Sequence, residues 1–123
     1  MQANPAQFIA STFGSIWALE LLLQLRTSPP RSFPREELVR LLRASDVVVQ
    51  TSGRALIAAG LVVEEHDGSL RYAPASADLE VQVDATEHMY RTKPDAVRRL
   101  IFGAGTTGLT AFSDAFKLRK DKE

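Results

Sequence analysis

The stretch from Ser45 to Pro74, SDVVVQTSGRALIAAGLVVEEHDGSLRYAP, limits the possible folds more than any other part of the chain. Its first half reads as one helix, with Ser45 placed to accept a hydrogen bond from the first turn and Gly60 placed to end the helix. Three consecutive valines, Val47 to Val49, would suit a strand, but the cap before them and the run Ala55-Leu56-Ile57-Ala58-Ala59 after them favour a helix. Gly53 inside that helix costs about 1 kcal/mol relative to alanine, so it marks the close approach of a neighbouring element. The second half holds two strand-like runs, LVVEE and SLRYA, joined at Asp67-Gly68, a dipeptide that tolerates the positive φ angles of a tight hairpin turn.

The segments on either side are helical. NPAQFIAS carries a helix start, with Asn4 as N-cap and Pro5 in the first turn, and the helix is expected to run to Leu25. Between Ile16 and Leu25 only Glu20 and Gln24 are polar, which requires cover on more than one side, from a central position or a dimer interface. The same two residues, with the Ser and Thr before them, argue against a membrane span. Prolines 29, 30 and 34 break this helix, and Leu38, Leu41 and Leu42 then mark a second one over about Pro34–Arg43, with Glu36 and Glu37 in its first turn. From Ser76 a stripe of Leu79, Val83, Thr86 and Tyr90 predicts another helix. Thr92 and Asp95 form a capping signal for the next, and Leu109, Phe112 and Phe116 mark a last short helix.

The expected fold is therefore mainly α with a small β-hairpin. The order helix, helix, turn, helix, hairpin is that of a winged helix-turn-helix over residues 1–75, with 76–123 as a helical extension for packing or dimerisation within one compact unit. Absence of cysteine removes disulfides and thiolate metal sites, and no charged n-region precedes the first apolar run, so a cytoplasmic location is expected. The net charge of zero hides a segregation. Residues 1–60 hold six Lys/Arg against four Asp/Glu, residues 61–90 one against seven, and residues 91–123 eight against four. Such a pattern permits a local basic face without the strong overall charge of many nucleic-acid-binding domains.

The stretch ELVRLLRASDVVVQTSGRALIAAGLVVEEHDGSLRYAP resembles the winged helix of bacterial transcription regulators, including the MarR type, with Leu56-Ile57-Ala58-Ala59-Gly60-Leu61-Val62 as the landmark. The later segments YAPAS, KPDAVRRLIF and LTAFSDAFKLRKD are similar to a group of uncharacterised bacterial winged-helix proteins, which implies a shared two-part architecture. The resemblance implies a transcription regulator that binds double-stranded DNA as a homodimer, with the helix at 45–59 in a major groove. Its contacts would come from Ser45, Gln50, Thr51 and Arg54 on that helix, Arg71 on the wing, and Arg35, Arg40 and Arg43 on the helix before it. Gln50 suits adenine and Arg54 suits guanine or phosphate. Positions that usually hold Ser or Thr are Val47 and Val48 here, and one that often holds Arg is Thr51. The acidic turn of Glu64, Glu65 and Asp67 would be repelled by phosphate, and the alternative is a winged-helix module whose partner is a protein.

Gly103, Gly105 and Gly108 repeat the spacing of a dinucleotide-binding loop. That loop needs a preceding strand, a following helix and an acidic residue about 20 positions further on. Only fifteen residues follow Gly108, so the glycines are expected to be a joint between helices and no cofactor is expected. His66 and His88 have no second ligand at metal spacing, and no nucleophile elbow appears, so no metal and no catalysis are expected.

Overall fold

A computed structural model describes residues 5–105, and the last short helix expected at 109–116 lies outside them. Six helices and three short strands follow one another in the order α1 (Pro5–Thr12), α2 (Ile16–Arg26), β1 (Ser32–Phe33), α3 (Arg35–Leu42), α4 (Asp46–Ala58), β2 (Val62–Glu64), β3 (Leu70–Tyr72), α5 (Ala77–Thr92) and α6 (Pro94–Gly105). The molecule is mainly helical with a small three-stranded antiparallel sheet.

The long first helix expected from the sequence is two helices, bent by 111° at the break. Gly14 follows the last turn of α1, and the Ser15 hydroxyl accepts from the Ala18 N–H at 3.3 Å, capping α2. The break lets both pieces find cover within the chain. α1 packs on α5 and α6 with Ile9 buried, Phe13 just beyond its end is buried too, and α2 buries Ala18, Leu19, Leu21, Leu22 and Leu25 against α3, α4, α6 and β3. α2 is thus a central helix whose apolar surface is covered by its own chain. No single helix among the described residues is long and apolar enough to cross a membrane.

α4 begins and ends as its sequence requires. The Ser45 hydroxyl accepts from the Val48 N–H at 3.1 Å. At the other end Gly60, at φ 78°, lets the Leu61 N–H reach the Leu56 carbonyl and its own N–H reach that of Ile57, both at 3.0 Å. The inward side of the helix carries Val49, Ser52, Gly53 and Leu56, all buried. A Cβ at Gly53 would stand 3.0 Å from Leu70 Cδ1, which identifies β3 as the element that the glycine admits.

β3 lies between β1 and β2, pairing Phe33 with Leu70 and Val62 with Tyr72. The β1 strand was not expected: two residues after a proline run carry no alternation to read, yet Phe33 is buried at 1% exposure. The hairpin turn also differs from expectation. Only Gly68 has positive φ, at 88°; its N–H donates to the Glu65 carbonyl at 3.0 Å and the Glu65 N–H to the Ser69 carbonyl at 2.8 Å. The loop is therefore the three-residue form closed by one left-handed glycine.

In the second half α5 begins where a helix was expected, with Ser76 as its cap, and Val83 and Thr86 of the predicted stripe are buried. Thr92 does not cap α6. It closes the last turn of α5, its hydroxyl donating to the His88 carbonyl at 3.0 Å, and α6 starts at Pro94 with Asp95 in its first turn. Val97 and Ile101 bring α6 into the same apolar cluster that holds α1, α2 and the sheet. Gly103 and Gly105 belong to α6, which has no strand directly before it, so these two are not the joint between helices that was expected, and Gly108 lies outside the described residues.

Candidate nucleic-acid interface

With one side of α4 committed to the core, its other side is set by helical spacing. Val47, Thr51, Arg54 and Ala58, at i, i+4, i+7 and i+11, are all exposed. No described element packs over this stripe, and Val47 is 67% exposed. Gln50, half-buried, turns toward an open cleft of about 150 Å³ between α4 and the hairpin, lined also by Arg35, Arg54, Glu64 and Gly68. Two guanidinium groups, a carboxamide and a carboxylate thus meet where α4 faces the strand pair.

The other expected contact residues separate into two sets. In the first, the polar group already has a partner. Ser45 uses its hydroxyl as the cap of α4. Arg35 binds Asp46 at 2.9 Å, tying the start of α3 to the start of α4. Arg71, directed outward between the buried Leu70 and Tyr72, donates through Nε to Glu65 at 2.7 Å. Ser32 donates to the same carboxylate at 3.2 Å. These two donors hold the Glu65 carboxyl below the usual carboxylate range, and Arg71, the expected wing contact, is paired with that carboxylate in the sheet. The Asp67 carboxyl is also held low, chiefly by the Ser69 backbone N–H. The turn therefore stays anionic at neutral pH.

The second set is Arg40, Arg43 and Arg54. All three are exposed, and none forms an ion pair with another described residue. Arg40 and Arg43 stand at the turn that leads into α4, where Arg43 takes φ 53° to end α3. Several acidic residues are paired with other arginines: Glu37 is bound by Arg31, and Arg26 collects Glu80, Asp84 and Glu87 of α5. Folding thus brings three acidic residues of α5 onto one cation of α2.

That Arg26 cluster was not foreseen. Its guanidinium lies 3.1 Å from Glu80 and 3.2 Å from Asp84 and bonds Glu87, while the Tyr72 hydroxyl donates to Glu80 at 2.5 Å. Three carboxylates at i, i+4 and i+7 were the only signal in the sequence, and nothing in it named the cation 54 residues earlier. A second open cavity, of about 380 Å³, lies among Trp17, Glu20, Leu41, Tyr90 and Arg98, where the Tyr90 hydroxyl donates to Glu20. His66 and His88 are both exposed, and no group of three metal-ligating side chains occurs among the described residues.

Comparison of the chain with protein-family models, with curated proteins and with solved structures finds no match among any of them.

Proposed function

We propose that the chain is a winged-helix DNA-binding protein acting in transcription regulation, with α4 in a major groove and the β2–β3 hairpin beside the groove. The observation that carries this reading is the open outward stripe of α4, with Thr51 and Arg54 on it and Gln50 at its edge. A helix that is packed on one side and bare on the other, preceded by a short turn and followed by a hairpin, has the shape that fits a groove about 12 Å wide. Arg40 and Arg43 supply cations at the same end, suited to phosphate. Pairing of two copies through the C-terminal half, where Val81 and Phe102 are exposed, belongs to the same reading.

One observation favours a different partner. The exposed Val47 and the anionic turn of Glu64 and Asp67 would suit a protein surface. Fluorescence anisotropy with labelled duplexes selected from a randomised pool separates the two. Arg54→Ala is expected to weaken binding to the selected duplex between about fivefold and 150-fold, the range of one good base or phosphate contact. Absence of DNA affinity, together with a stoichiometric protein recovered on purification from the native cell, would establish the protein-interaction reading instead.

A further inference from the structure

Val47 is the most exposed of the large hydrophobic side chains in the described chain, at 67%, and the helix gives no local reason for it. A β-branched residue loses rotamer freedom in a helix, and a solvated first-turn position is better filled by an acidic residue or alanine. Two positions on, Val49 is 1% exposed and does the packing that a valine in this turn can do. The side chain at 47 therefore presents two methyl groups to whatever α4 meets.

What α4 meets is indicated by the rest of the stripe. Thr51 and Arg54 follow on the same line, and Arg40 and Arg43 flank the start of the helix and form no ion pair with another described residue. A methyl group beside a hydroxyl and a guanidinium matches the edge pattern of base pairs in a major groove. The one negative charge next to Val47, on Asp46, is held by Arg35 at 2.9 Å. Only thymine offers an apolar group on that edge, its C5 methyl.

Resting on the DNA-binding reading above, we propose that Val47 is a specificity-determining residue that packs its methyl groups on the C5 methyl of a thymine. Seven residues of helix separate it from Arg54, about 10 Å, which is roughly three base-pair steps along the duplex. The preferred site therefore carries a thymine roughly three base pairs from the base or phosphate that Arg54 contacts.

The test uses the full chain and the duplexes it selects from a randomised pool. Each dT of the best duplex is replaced singly by dU, which removes the methyl and nothing else. One position in each site is expected to lose about fourfold in affinity, the worth of one buried methyl. In Val47→Ala the dT-to-dU ratio at that position falls to about one, while Val47→Thr, which keeps one methyl, retains part of it. A thermal melt of each variant, unchanged for so exposed a position, shows that the fold is intact. If every dU is neutral, or if Val47→Ala keeps the discrimination while sequence-selective binding persists, the inference is overturned and the DNA reading stands. If no duplex is selected, both fall.

Discussion

Arg43 ends α3 at φ 53°, in the left-handed region that glycine enters freely and other residues enter at a cost of about 1–2 kcal/mol. The hydrogen bonds around it, from the Ala44 N–H to the Val39 carbonyl at 3.2 Å and from its own N–H to that of Arg40 at 3.4 Å, are those that Gly60 supports at the end of α4. The two helix ends are built alike, one from the residue that suits the geometry and one from a cation that does not. An unfavourable backbone retained at one exposed arginine accords with a use for its charge. We predict that Arg43→Gly raises unfolding stability by up to about 1 kcal/mol in urea titrations. The same change is expected to lower DNA affinity and reduce the salt slope of binding by about one. A variant that gains stability and keeps its affinity would remove Arg43 from the interface. The contrast also shows what could be read in advance: Gly60 announces its conformation, whereas an arginine announces only its charge.

At the scale of elements, the Arg26 cluster fixes how α5 lies on α2 and β3. Tyr72 donates a hydrogen bond to Glu80 and so lowers its carboxyl below the ordinary value of 4.5, with Arg26 adding to the effect. A carboxyl depressed on folding gives stability that is full above its unfolded value and is lost as pH falls through the lower folded value. Burial, followed by the hydrogen bond to Glu80, raises the Tyr72 hydroxyl to about 12, so its contribution is full below the ordinary 10.0 and fades as pH climbs to about 12. Urea midpoints measured from pH 7 down to pH 2 should therefore fall across the carboxylate range, and the fall should be shallower in Glu80→Gln. If both proteins show the same acid slope, the cluster has no part in docking α5. Elements of eight or more residues with caps at both ends, such as α4, were legible from their sequence. The break at Gly14-Ser15 was not, because the apolar pattern runs through it and a glycine followed by a capping serine was outweighed by hydrophobicity. β1 was illegible for another reason: its two residues take their conformation from the partner strand, which spacing along the chain does not encode.

For the whole molecule, a net charge of zero means that the proposed attraction to DNA would have to come from a local arrangement and not from a long-range field. That arrangement is legible only in part, since the basic ends and acidic middle are visible in the sequence but the pairing of Arg26 with α5 is not. This pairing partly offsets the charge of the acidic helix, while Arg40, Arg43 and Arg54 keep no ion pair among the described residues. Three phosphate contacts give a slope of log affinity against log salt of about −3 for each bound copy, so raising salt from about 50 to 200 mM should weaken binding about fortyfold per copy. Stoichiometry, from titration at concentrations far above Kd, separates one copy from two and so tests the paired arrangement in the same experiment. A slope near zero would exclude phosphate contact and with it the role given to α3 and α4. A slope per copy of about −6 would assign further contacts to Lys117, Arg119, Lys120 and Lys122, which lie outside the described residues. Replacing those four with glutamine should then return the slope to about −3, because the three arginines beside α4 would remain as the cations that hold the helix to the groove.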